Sequence, residues 1–295
     1  MSAPLHNPPR HPHTWLIWLP LSQLVVAAIW WRWGWAWGLP TMLLSHLPIL
    51  WGTLKPDSRI FGPVLRRLPI RESRVWLTID DGPSSETAAM LDLLDRHQAR
   101  ATFFVVGERA RQRPELVREM VRRGHTLGNH SDTHPQAWFW ALGPGQMRAQ
   151  IAQGQASLAE ITGTAPRWFR AVVGMANPFV SAPLRDLGLA RVAWSARGFD
   201  GVAADPDAVV ARIERDLAPG AIVLLHEGAK HGRNLDILAL LLQRLVALGY
   251  GTVLPEELEA DEPVLAPQPF TLAPLPKSPL APLAGRGTAS RSDAG

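Results

Sequence analysis

The chain of 295 residues contains no cysteine. A disulfide framework and a thiolate metal site are therefore excluded, and any metal centre must be built from His, Asp and Glu. Redox compartment stays open, because absence of Cys suits either side of a membrane. An excess of one charge sign is also lacking: 30 Lys and Arg stand against 26 Asp and Glu, a net of +4. These charges interleave through the middle of the chain, so no nucleic-acid partner is expected. No internal repeat is evident. At 46% hydrophobic residues, the chain can bury one sizeable core.

Charge is almost absent from one region. Across residues 15–54 only Arg32 is charged, and eight of the 13 Trp lie in the first 54 residues. The run "WLIWLPLSQLVVAAIWW" is at the short end of what a membrane-crossing helix needs. A second apolar run, "WGWAWGLPTMLLSHLPILWGTL", is interrupted by Pro40 and Pro48. Clustered Trp suits the bilayer interface, and no small-residue cleavage site follows the first run. Residues 1–13 then read as a polar N-terminus and 14–54 as a retained anchor of one or two helices, with membrane lipid as a partner. Residues 55–73 read as a basic connector, since Lys55, Arg59, Arg66, Arg67, Arg71 and Arg74 could sit on anionic headgroups. Residues 259–295, with seven Pro between 263 and 282, read as a disordered tail.

Between these ends, strand and helix patterns alternate. "RVWLTID", "ATFFVVG", "HTLGNHS", "RWFRAVV", "RVAWSA" and "AIVLLHE" read as strands. Helical stretches such as "SSETAAMLDLLDRHQA", with Met90, Leu93 and Leu94 at i, i+3, i+4 spacing, separate them. That order implies an α/β fold with a parallel sheet, open or closed into a barrel, over residues 74–258. In either form, chemistry gathers at the carboxyl ends of the strands. There stand Asp80 and Asp81, His130, Arg170, Asp200 and His226.

"HSDTH" (130–134) places His130 and His134 four residues apart. With ten His in the chain, that spacing alone is weak evidence for a metal clamp. Its company strengthens it. Two His and one carboxylate suit a catalytic zinc-like site with a position left for water. A second carboxylate beside it could act as general base and a separate His as general acid. Asp80 and Asp81 point in opposite directions in an extended strand unless the chain turns, and Gly82 and Pro83 supply a turn. If 130–134 form a helical turn, Asp132 faces away from the ion.

"TIDDGP" (78–83), "HSDTH" (130–134), "FRAVVG" (169–174), "WSARGFD" (194–200) and "IVLLHEG" (222–228) resemble, in that order, the motifs of the polysaccharide deacetylase family, also called NodB-homology or family 4 carbohydrate esterases. The resemblance spans about residues 72–258. It implies a distorted (β/α) barrel of about seven strands that removes an N-acyl group, usually acetyl, from an amino sugar in a polysaccharide or lipid-linked glycan. By position, it implies that Asp81, His130 and His134 hold a divalent metal ion, expected to be zinc, and that Asp80 is the base. His226 would protonate the departing amine, Arg170 would orient Asp80, and Asp200 would hold His226 in its cationic form.

Departures from the family pattern fall on the substrate wall. Val172 stands where Pro is usual, Val173 where an aromatic is usual, Gly201 where Trp often follows, and Glu227 where Asp often follows the His. Two other readings remain: a membrane-held carbohydrate-binding module without turnover, and an unrelated metal-dependent hydrolase. The expected location is the bacterial inner membrane. Its face is contested, because positive charge after the anchor favours the cytoplasmic side, whereas the resemblance implies exported glycans.

Overall fold

The computed structural model describes residues 5–260. Of the expected tail, only Glu259 and Ala260 fall within that range, at the end of a short helix (Pro255–Ala260), and the remainder lies outside the described residues. In that helix Glu259 pairs with Arg167 at 2.6 Å.

The sheet is organised around strand β1 (Arg74–Gly82), whose residues 75–80 are all buried. A strand apolar on both faces belongs in the middle of a parallel sheet covered on both sides. It pairs in parallel with β2 (Ala101–Val105) and β7 (Ile222–His226). Beyond β2 follow β3 (Thr126–Asn129), β4 (Trp168–Phe169) and β5 (Ala190–Arg191), and beyond β7 lies β6 (Ala196–Arg197), giving the order β5-β4-β3-β2-β1-β7-β6. An eighth strand, β8 (Gly251–Thr252), pairs with Arg74 and Val75, below the point where β2 begins.

The expected single strand "RVAWSA" is in fact divided between the two edges of the sheet, Arg191 ending β5 and Ala196 opening β6. That division forces curvature. Flat, the seven strands would hold β5 and β6 about 29 Å apart at ~4.8 Å per gap. Five residue steps from Arg191 to Ala196 reach only ~18 Å. The sheet therefore curls into an incomplete barrel, as the resemblance implies. "RWFRAVV" likewise contributes only Trp168 and Phe169 as strand, and the chain then enters a 3-10 turn at Val172–Gly174.

Residues 55–73 do more than connect. Leu65 bridges to Val192 and Arg67 to Ala221, so this segment spans the gap between β5 and β7. Phe61, Val64 and Leu68 are buried. Arg191 reaches from β5 to the Ser58 carbonyl. The basic residues are thus carried by a segment whose buried Phe61, Val64 and Leu68 close the barrel wall.

Two antiparallel helices precede it: α1 (Trp15–Trp33) and α2 (Trp35–Leu54), joined at Gly34, whose φ of 76° an L side chain rarely adopts. Pro40 and Pro48 do not break α2 as the sequence suggested; they lie inside a continuous 20-residue helix. Gln23 Nε2 donates to Ser45 Oγ between the helices. Among the described residues, one helix, α1, is long and apolar enough to cross a membrane.

Both ends of the hairpin meet the same body. Before α1, the His6 ring packs edge-on against Trp168, 5.7 Å between centroids, and His6 Nε2 donates to the Gly188 carbonyl. After α2, Pro56 lies against Gly174, where a Cβ would come within 2.7 Å of it.

Candidate metal centre and active site

The pairing register sets the site. Asp80 is opposite His226 across β1 and β7, so a carboxylate and an imidazole reach the same level at the sheet's carboxyl end. On the β2 side the register slips: Asp80 faces Phe104 and Gly82 faces Val105, leaving Asp81 as the extra residue of a bulge. Its φ is 73°. The bulge, one residue earlier than the expected Gly-Pro turn, lets two successive carboxylates face one cavity. Gly82 is required beside it, since a Cβ would lie 2.1 Å from Glu227 Oε1.

Asp81, His130 and His134 each offer one ligand atom, and these lie within 4.8 Å of one another. Asp81 Oδ1 is 2.9 Å from His134 Nε2 and 3.5 Å from His130 Nε2. Even so, Asp81 Oδ1 is buried without a hydrogen-bond partner. Three atoms that approach without donor–acceptor alignment fit ligands aimed at a shared cation. Burial opposes charge on Asp81, but His130 and His134 outweigh it and hold its carboxyl well below the usual carboxylate range. His130 Nδ1 donates to the Arg170 carbonyl at 2.9 Å, which directs the Nε2 lone pair into the site.

Residues 130–134 form a loop, with Ser131 and His134 at φ 69° and 53°, instead of the expected helical turn. Asp132 still faces away, for a different reason: Arg111 grips both its oxygens, at 2.6 and 3.2 Å.

Asp80 is buried and accepts from Arg170 Nη1 at 2.6 Å. Arg170 is wholly buried; it also donates to Thr78 Oγ1 and the Ala193 carbonyl, and lies 4.1 Å over the Phe104 ring. Burial draws its guanidinium below the ordinary value while Asp80 opposes that. Asp80 Oδ2 lies 3.8 Å from His130 Nε2. Across the pocket His226 donates from Nδ1 to Asp200 Oδ1 at 2.9 Å and from its backbone N–H to Asp200 Oδ2 at 2.6 Å. Burial disfavours the imidazolium, but Asp200 foremost, then Asp80 and Asp81, push it up to about 9.

All seven residues singled out in the sequence therefore surround one cavity or support its walls, and the cavity holds about 180 Å³. A larger one, about 580 Å³ between residues 7–15 and 59–63, has no carboxylate in its lining. Sequence reasoning missed several neighbours. Arg109 donates to the Asp81 carbonyl, and His231 Nε2 donates to the Asp200 carbonyl at 2.6 Å. Trp194, Arg197 and Phe199 line the pocket. The last three sit inside the quoted fourth motif, whereas Arg109 and His231 carry no sequence signal. Glu227 proves to be a brace: it accepts from the backbone and hydroxyl of Ser84 and from Thr87, fixing the turn after Asp81.

Backbone strain concentrates here. Of six non-glycine residues with positive φ among those described, Asp81, Ser131, His134, Val173 and Phe199 belong to the site or its loops. Such conformations persist where surrounding structure over-determines them, as at binding sites.

Known proteins share this sequence pattern and fold. Residues 68–192 match the family described as "Polysaccharide deacetylase". A chitooligosaccharide deacetylase of Bradyrhizobium sp. is 36% identical over 162 residues, 54% of this chain and 73% of that protein. The peptidoglycan-N-acetylglucosamine deacetylase PgdA of Listeria monocytogenes is 33% identical over 198 residues, 67% of this chain and 41% of that one. A crystal structure of a peptidoglycan N-acetylglucosamine deacetylase superposes with TM-score 0.61 at 28% identity, covering 65% of this chain and 91% of the other. Curled parallel sheet, motif order and sequence likeness agree, and the chain belongs to the polysaccharide deacetylase family, hydrolases of non-peptide carbon–nitrogen bonds.

Proposed function

We propose that the protein is a membrane-anchored deacetylase that hydrolyses the N-acetyl group of an amino sugar with the help of a divalent metal ion, zinc by preference. The observation that carries this reading is the convergence of Asp81, His130 and His134 beside a separately held carboxylate and a separately held imidazole. Two imidazole nitrogens and one carboxylate oxygen suit zinc, and a bound ion would supply Lewis-acid polarisation of the amide carbonyl and its water.

The remaining steps belong to the chain. Asp80, held by Arg170 on one oxygen, takes the proton of the attacking water with the other. His226, kept cationic by Asp200, gives its proton to the amide nitrogen as the C–N bond breaks, since an amine leaves and an amide anion does not. Acetate and the free amino sugar result. Arg170 and Asp200 are positioning residues in this scheme.

The anchor belongs to the same proposal. Hairpin α1–α2 presents apolar side chains outward, with Trp31 90% and Trp35 72% exposed. Lipid tails are the solvent that suits such a surface. Because both hairpin ends reach the same barrel, the chain would enter and leave the bacterial inner membrane on one side. Pro56, just past α2, packs on Gly174, which lines the catalytic pocket. That contact favours a substrate presented at the membrane surface, such as a lipid-linked glycan.

The test is acetate release from an N-acetylglucosamine oligomer by metal-loaded protein. Asp80→Asn should retain the metal and lose roughly 10²–10⁴ in rate. Undiminished release after chelation and metal analysis showing an empty protein would overturn the reading, and sugar binding without any release would favour the binding module.

A further inference from the structure

One charged side chain in the catalytic pocket has no part in the reaction above. Arg197, in β6, lies with its guanidinium 3.7 Å over the ring of Phe199 and 5.4 Å from that of Trp194. Its Nε is buried without a hydrogen-bond partner. Among the described residues no carboxylate approaches it within ion-pair distance, and the nearby Asp200 has both oxygens bonded to His226.

Other arginines differ at their terminal nitrogens. The buried Arg170 donates from them to Asp80, Thr78 and a carbonyl, the buried Arg191 to the Ser58 carbonyl, and the exposed Arg111 to Asp132, although Arg170 and Arg191 also leave Nε without a partner. Those are structural ties. Arg197 is clamped by aromatic faces, while its fork of donors borders the cavity and meets no protein acceptor. Stacking fixes a guanidinium in place and leaves its in-plane donors available for a planar or tetrahedral anion. Phe199 itself is held at φ 66°, so part of the clamp is maintained against a backbone preference.

Position narrows what the anion belongs to. Arg197 pairs with Leu224, two residues before His226 on the adjacent strand. It thus stands on the side of the pocket where the amine departs, away from the acyl group. We infer that Arg197 is a specificity-determining residue that receives an anionic substituent, carboxylate or phosphate, carried by the amino sugar next to the scissile amide. The inference deepens the deacetylase reading and rests on it for turnover. Gly201 fits the same picture: where a bulky aromatic would wall the pocket beside His226, a Cβ here would only reach 3.5 Å from His226 Nδ1, leaving room for the substituent.

The experiment uses the full chain in detergent, loaded with zinc. Acetate release is followed on three substrates: a neutral N-acetylglucosamine tetramer, an amino-sugar oligomer bearing lactyl carboxylates, and polyprenyl-diphosphate-linked N-acetylglucosamine. Arg197→Gln should lower the anionic-to-neutral ratio of kcat/KM by about 10- to 100-fold, the span of a lost charge-assisted hydrogen bond. Arg197→Lys should restore part of it, and the ratio should shrink as salt rises. A fall confined to one anionic substrate assigns the carboxylate or the phosphate. An unchanged ratio on both, or an equal loss on all three substrates, overturns the inference. Titration calorimetry with N-acetylglucosamine 1-phosphate against N-acetylglucosamine reads the same site without turnover. Phosphate preference that vanishes in Arg197→Gln supports the anion site even if no substrate is cleaved, in which case the deacetylase reading alone has failed.

Discussion

The barrel and the helical hairpin use tryptophan in opposite ways. In the barrel, Trp76 and Trp168 are wholly buried and meet edge to face at 5.3 Å. Each indole N–H has a partner, Thr102 Oγ1 at 2.7 Å and Glu256 Oε1 at 2.6 Å. In the hairpin, Trp31, Trp33, Trp35 and Trp37 project outward, and Val26 is the one buried hydrophobic residue of α1. A buried indole needs its polar edge satisfied inside the protein; an interfacial one satisfies it at the membrane surface. Composition therefore announces the solvent of a segment, and hydrogen-bond partners announce its packing.

Under the proposed function, chemistry belongs to one region and location to the other, and variants can separate them. The largest effect should come from His134→Ala: activity falls to background and metal content drops, while the protein stays with membranes on fractionation. Full metal occupancy in that variant would remove His134 from the ligand set. Next, Trp168→Ala should cost about 3–5 kcal/mol in thermal or denaturant unfolding, as deletion of a buried aromatic does. Replacing Trp31 by Ser should change unfolding in detergent by no more than about 0.5 kcal/mol. Equal losses would mean that the hairpin has a protein core after all.

A pH-dependent effect concerns His226, whose proton is retained up to about 9. Its folded value lies above the ordinary 6.5, so the stabilisation from the His226–Asp200 pair is complete below about 6.5 and is lost as pH rises through the raised value. The kcat/KM profile should fall along the same limb. A bound cation offsets Asp80 and Asp81, so the loaded enzyme should show the limb at or below 9. Asp200→Asn should move it lower still, because burial then prevails. A limb unmoved by Asp200→Asn would take the acid role from His226.

Much of this was legible in the sequence, for a physical reason. Buried parallel strands are apolar until they end, so Asp80, His130 and His226 stood out at the termini of "RVWLTID", "HTLGNHS" and "AIVLLH". What could not be read depended on tertiary geometry. Nothing in "RVAWSA" signals that four residues must cross the open edge of a barrel. The bulge at Asp81 arises from a register slip against β2, which local propensity does not encode. Residues 55–73 look like a headgroup-facing spacer because their charges are conspicuous, while the buried Val64 and Leu68 and the bridging Leu65 reveal their role only beside Val192 and Gly220.

Arg170 serves the site through two different parts of itself: its carbonyl oxygen holds His130 and its guanidinium holds Asp80. One residue thereby acts as a ruler whose length is fixed by the burial and hydrogen bonds of its side chain. In the proposed reaction, a displacement of Arg170 would move the ligand His130 and the base Asp80 together. The spacing on which the proposed proton removal would depend is thus held by one wholly buried residue, through its backbone and its side chain at once.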